Sequence, residues 1–309
     1  MVPPEAVIHD IRNIDMRALI STPIHTCRRV ARAFAIALGP CVWLSLAGVP
    51  SAAAQPAKPA QTKPAAKVDV GPAVQKLKSG EPGQIRSALD ELRIAGPAAS
   101  AAAPAVVDAL ARGFDEPLAQ QAIDTLADLE SPDGSAILGQ YSRHRTVAIR
   151  RAAVKALTRT KGAAAAPALR KALGDSDAQV RGNAAAGLGM LKAKDAVPDL
   201  FIALEHKVNE AAASIGQLCN AEQCDQLATK LGKLPFEVVT SGLDPVLFRP
   251  TAEVSDDTKI KVLGRLRELG TGEANRFLKD VETRLPKEAS PRIKQAVEQA
   301  VKATSGGSQ

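Results

Sequence analysis

Few side chains in this 309-residue chain could act as acids, bases or nucleophiles. Two of its four histidines lie before Gln55, which leaves His144 and His206. His144 lies among basic residues, and His206 follows an apolar stretch at a predicted helix end, where an imidazolium would favour the helix dipole. A glycine-rich phosphate loop, a Gly-x-Ser-x-Gly elbow and a His-Glu-x-x-His motif are all missing from the sequence. We therefore expect no enzymatic activity, no cofactor and no metal site.

The two cysteines that follow Gln55 are Cys219 and Cys224, with four residues between them. A metal site would need further ligands at a suitable spacing. A redox-active pair would normally have the Cys-x-x-Cys spacing. The interpretations left are a structural disulfide in an oxidising compartment and a pair of reduced, inert thiols. We favour the disulfide, because alignment with the preceding segment puts both cysteines beside one turn between helices.

The elements that position these side chains are repeated. The segment Ile149–Leu157 returns as Val180–Leu188, and Ala166–Leu169 returns at the same shift as Val197–Leu200. Further on, Ala211–Leu218 copies Ala184–Leu191 at a slightly shorter shift. Periods of about 30 residues are typical of stacked helical hairpins that cannot bury their apolar faces alone. Aromatic residues make up only 3% of the chain, so we expect a core of alanine, leucine, valine and isoleucine.

The repeated motif resembles a known family. Asp175–Arg181, followed by Ala184, Ala185, Leu188 and Gly189, is similar to the HEAT repeat, specifically the short variety often called bilin-lyase-like. The resemblance extends from about residue 71 to 232. It implies an all-α fold, a right-handed α-α superhelix of stacked helical hairpins of the HEAT and armadillo type. It also implies that the second helix of each hairpin lines the concave surface. The lyase name implies no lyase activity here.

The predicted concave face carries charge of alternating sign. Arg151, Lys155 and Arg159 recur every four residues and therefore share one helix face. The corresponding positions are acidic or polar in the preceding repeat and small or apolar in the following one. We predict a binding face with an acidic end, a basic middle and an apolar floor, formed by Asp124, Asp128, Arg151, Lys155, Arg159, Ala186 and Met190. Asp124 and Asp128 are also placed to reach Lys155 and Arg159, so a simple ladder of ion pairs between repeats remains the alternative.

The segment 1–54 predicts a signal peptide with an uncertain start. Three arginines precede an apolar run over 33–49, and alanines offer a cleavage site near Ala54. The run is shorter than the roughly 20 residues that a membrane-spanning helix needs. We therefore expect a periplasmic or secreted protein. The segment 55–69 is rich in proline, alanine and lysine, which predicts a disordered linker.

The sequence divides the remainder into an array and a closing segment. We expect HEAT-like repeats over 70–234, an irregular connection over 235–254 where prolines recur, divergent C-terminal helices over 255–303 that cap the array, and a disordered tail over 304–309. Ser290 and Pro291 predict the start of the last helix.

The function that this organisation favours is that of an exported, non-catalytic scaffold or adaptor that binds a protein or peptide through its concave face. A second hypothesis is an envelope-associated factor whose basic repeat, residues 143–171, binds anionic lipid or glycan. A third is a non-catalytic subunit or regulator of an enzyme. The net charge of +7 comes without an aromatic stacking surface, so we expect no nucleic-acid partner. The oligomeric state remains open.

Overall fold

The computed structural model describes residues 68–305. This part of the chain consists of helices and turns, with one isolated backbone bridge between Leu231 and Leu234. The predicted signal peptide and nearly all of the predicted linker lie outside the described residues. The all-α solenoid expected from the sequence is confirmed.

Six helical hairpins succeed one another, followed by three further helices. The bounds are α1 Gly71–Lys78 and α2 Pro82–Ala95, α3 Ala103–Ala111 and α4 Glu116–Leu129, α5 Ser135–Tyr141 and α6 Val147–Thr160, α7 Ala165–Ala172 and α8 Ala178–Met190, α9 Val197–Glu205 and α10 Glu210–Leu218, α11 Ala221–Ala228 and α12 Phe236–Phe248, then α13 Asp256–Leu269, α14 Gly272–Arg284 and α15 Pro291–Ser305. Short 3-10 turns precede α3, α5 and α9.

The second helices of the hairpins, α2, α4, α6, α8, α10 and α12, pack side by side in chain order. We call them the second-helix row. Each contributes aliphatic side chains to one continuous core, including Leu89, Leu126, Leu157, Leu188 and Ile215. Small side chains let neighbouring helices come close, so the low aromatic content of the sequence is explained by this packing.

Local sequence signals set the helix ends. Asp115, Asp177, Ser255 and Thr271 each accept a hydrogen bond from a backbone N–H in the first turn of the helix that follows. Asn220 forms a reciprocal capping box with Gln223. These bonds satisfy N–H groups that have no partner inside the helix. As the sequence predicted, Pro291 begins α15, and Ser290 caps it by accepting a bond from the Ile293 N–H.

The expectation of an irregular connection over 235–254 is wrong, because most of this segment forms α12. The prolines are compatible with this helix. Pro235 precedes its first turn, Pro245 lies in its last turn, and Pro250 follows its end, where proline removes few helical hydrogen bonds. Four apolar side chains of α12 are buried and join the core, namely Val239, Leu243, Val246 and Leu247. The helix completes a sixth hairpin with α11.

The expected disordered tail begins too early. Thr304 and Ser305 belong to α15, and Thr304 is buried. Its hydroxyl accepts a hydrogen bond of 2.9 Å from the side-chain amide of Asn275 on α14. This polar contact between α14 and α15 fixes the last turn of α15. Residues 306–309 lie outside the described part.

The stretch Pro82–Ala111 is long and apolar enough, by length and composition, to cross a membrane. In the structure it is α2, a 3-10 turn and α3, and it bends at Gly96, whose φ is 57°. Its large apolar side chains Leu89, Leu92, Val106 and Leu110 are buried in the core. Core packing against neighbouring helices accounts for its apolar character.

Candidate binding face

The structure places the predicted face on the solvent side of the second-helix row. Arg151, Lys155, Ala186 and Met190 are exposed, and 65% of the Met190 surface is accessible. Asp124, Asp128 and Arg159 are half-buried on the same side. Charged and apolar residues therefore lie side by side on one accessible surface.

The acidic and basic parts of this face are joined by an ion-pair network across three helices. The Arg159 guanidinium on α6 lies 2.5 Å from an Asp128 carboxylate oxygen on α4 and 3.1 Å from Glu130. On the other side of Asp128, Arg93 of α2 approaches to 3.2 Å. Desolvation lowers the pKa of Arg159, but hydrogen bonds to Glu130 and Asp128 outweigh it and leave that pKa raised. Such exposed pairs stabilise a protein by about 0–1 kcal/mol each, so these charges mainly connect repeats.

A second expected contact of the ladder does not form. The Asp124 carboxylate accepts hydrogen bonds of 3.3 and 3.4 Å from Gln120 on its own helix, rather than pairing with Lys155. Lys155 forms no ion pair with any residue in 68–305. The ladder interpretation is thus correct for Asp128 with Arg159 and wrong for Asp124 with Lys155, because Gln120 lies one turn away on the same face.

Arg151 has a partner that the sequence did not predict. Its guanidinium donates two hydrogen bonds, of 2.8 and 2.6 Å, to Asp177 at the start of α8. The bonds from Arg151 lower the pKa of Asp177 to about 2. Asp177 also accepts from the Val180 N–H and so caps α8. The long side chain of Arg151 reaches the following turn, which removes it from the set of free charges.

The turns beneath this face are held by the arginines that recur with the repeat. Arg150 donates two 2.8 Å bonds to Asp175 and two 3.2 Å bonds to the carbonyls of His144 and Arg145. Arg181 donates to the carbonyls of Asp175 and Ser176. Burial raises the pKa of Asp175, but hydrogen bonds from Arg150 and from the Asp177 N–H outweigh it, so its pKa lies below the usual value. These arginines hold successive turns together.

Met190 lies where two shallow grooves meet. One groove, of about 410 Å³, is lined by Met190 with Lys161, Ala166 and Lys192. The other, of about 510 Å³, spans α8, α10 and α12 and is lined by Ala186, Met190, Asn209, Glu210, Ala213, Ser214, Gln217, Glu237, Val238 and Ser241. An exposed thioether between two concave surfaces is a suitable contact for an apolar side chain.

The charges that flank Met190 have opposite signs and are free of internal partners. Lys161 and Lys192 lie on one side and Glu210 and Glu237 on the other. Within the described residues none of the four takes part in an ion pair, in contrast to Asp128, Arg151 and Arg159. In the part of the face around Asp128 and Arg159 the charges are paired, whereas in the part around Met190 the charges face solvent.

The α10 and α12 portion of this second part was not among the residues predicted from the sequence. The shorter repeat shift already aligns Ala213 with Ala186 and Gln217 with Met190, so the α10 positions could have been found. The contribution of Glu237, Val238 and Ser241 could not, because the recurring prolines predict an irregular connection there. The helix that carries them is visible only through its packing on α10.

The cysteine pair is close to the second groove but belongs to the core. The Cys219 and Cys224 sulfurs are at bonding distance, 2.12 Å apart, and both residues are buried. They join the end of α10 to α11, as the sequence predicted. Arg249 donates bonds of 2.9 and 3.3 Å to the carbonyls of Cys219 and Gly216, so the loop after α12 is attached to the same turn.

The two histidines lie in different surroundings. The His144 ring stacks on Tyr141 with 5.9 Å between centroids, and its Nδ1 accepts a hydrogen bond from the Thr146 N–H. His206 ends α9. Over residues 68–305 there is no group of three or more His, Cys, Asp or Glu side chains spaced to hold a metal ion.

Comparison with known proteins identifies the class of the array. Residues 103–179 match the family described as HEAT repeats, so the resemblance seen in the sequence is confirmed and this part of the chain is a HEAT-repeat array. No protein with a curated description matches the sequence.

Several solved structures are similar to this chain at low sequence identity. The complex of CpcE and CpcF of phycocyanin lyase from Nostoc sp. PCC7120 is 21% identical, with a TM-score of 0.41 over 81% of this chain and 99% of that one. Human deoxyhypusine hydroxylase is 15% identical, with a TM-score of 0.33 over 77% and 96%. A designed armadillo repeat protein in complex with a peptide is 16% identical, with a TM-score of 0.34 over 77% and 100%. Similarity at this level establishes neither an activity nor a ligand for this chain.

Proposed function

We propose that this protein is an exported, non-catalytic scaffold or adaptor that binds a partner protein through the exposed side of its second-helix row. The observation that carries the proposal is the surface around Met190, where an exposed apolar side chain lies between unpaired charges of opposite sign. Specific protein interfaces combine an apolar centre with a polar and charged rim.

Export is part of this proposal. The charged, apolar and small-residue regions before residue 55 support it, as does the buried cysteine pair, because disulfides persist in oxidising compartments. Fractionation of the source cells and N-terminal sequencing of the mature protein test this point. A mature protein that begins near residue 55 outside the cytoplasm is the expected result, and a cytoplasmic protein with an intact N-terminus would contradict it.

The binding role is tested by site-specific photo-crosslinking in intact cells. A photoreactive amino acid replaces Met190 in the full chain, and a control variant carries it at Ile94, an exposed apolar residue on α2 that lines neither groove. We expect a discrete covalent adduct with another protein from position 190 alone. Mass spectrometry of the adduct identifies the partner, and an enzyme in this adduct would place the protein as the regulator or subunit of that enzyme. The same adducts from both positions, or none from position 190, would overturn the proposal.

A second candidate function is binding to an anionic envelope surface. Of the nine bases in residues 143–171, five have no ion pair among the residues described, namely Arg143, Arg145, Lys155, Lys161 and Lys171. Binding of the full chain to vesicles of anionic phospholipid is measured at low and moderate salt. Binding that is lost at moderate salt favours this candidate, because screening acts on exposed charges. Equal binding to neutral vesicles, or none at low salt, would exclude it.

A further inference from the structure

We infer that the partner binds as an extended peptide segment with an apolar residue at Met190, an acidic residue on the Lys161 and Lys192 side, and a basic residue on the Glu210 and Glu237 side. This inference rests on the proposed function and names the chemistry that the same surface selects. The charge order differs from the one expected from sequence, which centred on Arg151, Lys155 and Arg159.

Some charges on this face are already paired within the protein, and others are available to a ligand. Arg159, Asp128 and Arg93 are already joined across three helices, and Arg151 is bound to Asp177. A ligand at those residues would have to replace existing pairs. Lys161, Lys192, Glu210 and Glu237 have no such pairs within the described chain, so a ligand of complementary charge gains attraction without that loss.

The shape of the surface around Met190 suits an extended chain. The first groove lies between the ends of α6 and α8 and the start of α7, and the second continues from Met190 across α8, α10 and α12. The floor is made of small or apolar side chains, Ala186, Ala213 and Val238, so a chain can lie close to the helices. Asn209 and Gln217, both exposed, make no side-chain hydrogen bond within residues 68–305. Their amides are free to donate to and accept from a peptide backbone.

The spacing of the charged and apolar residues in the ligand follows from the positions of their partners on the helices. Packed helices lie about 8–10 Å apart, and an extended peptide advances about 3.3 Å per residue. Lys161 and Met190 lie at the ends of neighbouring second helices, so about three residues should separate the acidic from the apolar position. The Glu210 carboxylate lies beside Gly182, about 12 Å along α8 from Met190. An oblique path of about 15 Å, or about five residues, therefore separates the apolar from the basic position, in either chain direction.

The test uses four synthetic peptides of nine residues, with leucine three positions from one end and five positions from the other and serine at the intervening positions. Two carry opposite charges at their ends, Glu-Ser-Ser-Leu-Ser-Ser-Ser-Ser-Arg and its reversed order. The other two carry glutamate or arginine at both ends. Fluorescence anisotropy with the full chain measures their affinities. We expect at least one opposite-charge peptide to bind about tenfold more tightly than both same-charge peptides, since two exposed charge pairs contribute a factor of that order.

A charge-reversal variant makes the test specific. In the double variant Glu210→Lys and Glu237→Lys, we expect the peptide with two glutamates to become the preferred ligand. The matched control is Glu222→Lys with Glu273→Lys, since those acids also lie in the first turns of helices, α11 and α14, away from the groove. The control should keep the wild-type order. An unchanged preference in the double variant would overturn the inference.

Met190 is tested separately. Met190→Asp should lower the affinity of the best peptide at least tenfold without changing Tm, and Met190→Leu should retain it. If no peptide binds, or same-charge peptides bind equally well, while the adduct at position 190 still forms, the charge order is wrong and the proposed function stands. Loss of the adduct as well would remove both.

Discussion

Asp175 lies in a turn but also makes contacts with the preceding hairpin. Its carboxylate binds the Arg150 guanidinium of the preceding hairpin and the Asp177 N–H of its own turn, and both Arg150 and Asp175 side chains are only 11–12% exposed. Arg150 in turn reaches two carbonyls of the preceding loop. One side chain thus connects two successive turns of the array.

Replacing Asp175 by alanine should lower the free energy of unfolding by about 1–3 kcal/mol, because the Arg150 guanidinium would lose its charged partner in a largely buried place. Urea denaturation measures the effect. The control is Asp195→Ala, whose carboxylate is 72% exposed and lies 3.4 Å from Arg170. That change should cost less than about 1 kcal/mol. Equal losses in the two variants would show that the turn does not depend on this contact.

Asp177 makes stability depend on pH. Its pKa is about 2 in the folded protein and about 4 in an unfolded chain. A depressed folded pKa means that the stabilisation is complete above about pH 4 and is lost as the pH falls towards 2. The free energy of unfolding should therefore fall over this window.

The fall should be shallower in Asp177→Asn, which keeps a side-chain oxygen for the cap of α8. Urea denaturation at pH 2–6 measures it. Asp108→Asn, at an exposed position with no ion pair in the described chain, should follow the wild type. A wild-type slope in Asp177→Asn would rule out the contribution.

Some of these residue contacts were predictable and others were not. The binding of turn carbonyls and aspartates by Arg150 and Arg181 follows from their place in the repeat. The sequence also predicted that Asp124, Asp128 and Lys155 lie on one side. It did not identify all their partners, because a long side chain such as Arg151 can reach either its own row or the next turn, and only packing decides between them.

At the scale of elements, α8, α10 and α12 approach one another through glycine. A Cβ atom on Gly216 would lie 1.8 Å from the carbonyl oxygen of Gly242, and one on Gly242 would lie 2.3 Å from that of Ala212. A Cβ on Gly189 would meet the Ser214 hydroxyl at 2.7 Å. Backbone therefore touches backbone or side chain where these helices cross.

Gly216→Ala should destabilise the protein by about 3 kcal/mol or more, since the α10 and α12 backbones would have to separate. Gly264→Ala is the matched control, because Gly264 is inside α13 and a Cβ there meets nothing within 4 Å. It should be neutral or stabilise the protein by up to about 1 kcal/mol through helix propensity. Thermal and urea unfolding of both variants distinguish the contact from propensity, and a stable Gly216→Ala protein would refute it.

The turn between α10 and α11 depends on the Cys219–Cys224 bond. The closed loop is short, so its entropic contribution is about 2 kcal/mol. Reduction, or Cys219→Ser with Cys224→Ser, should lower the free energy of unfolding by that amount. A reductant should have no further effect on the double variant, which serves as its control. Equal stability with and without reductant in the wild type would mean that the bond contributes nothing.

The hairpins of 70–234 were predictable because each position has a counterpart one period away. The helix α12 was not, because its three prolines are typical of loops and its register is set by the contact of Gly242 with α10. A close backbone approach has no side-chain signature beyond a glycine, and the chain contains 22 glycines. Sequence periodicity therefore predicted the array but missed its last second helix, α12.

At the scale of the whole molecule, each hairpin is stabilised mainly by the hairpins on either side of it. Helices in the middle of the row have neighbours on both sides, whereas α1 and α15 lie at the ends. Hydrogen exchange followed by mass spectrometry should therefore show the slowest exchange in α6, α8 and α10 and the fastest in α1 and α15. Uniform protection along residues 68–305 would indicate a single cooperative unit instead.

Neighbouring helices are held together by different interactions at the two ends of the second-helix row. Between α2, α4 and α6 the contact includes the chain of ion pairs from Arg93 through Asp128 to Arg159, whereas between α10 and α12 it is direct backbone contact at Gly216 and Gly242. Dissolved salt weakens the first kind and leaves the second almost untouched. Rising ionic strength should therefore loosen the contacts among α2, α4 and α6 more than those among α8, α10 and α12, so that the surface around Met190 keeps its helix spacing.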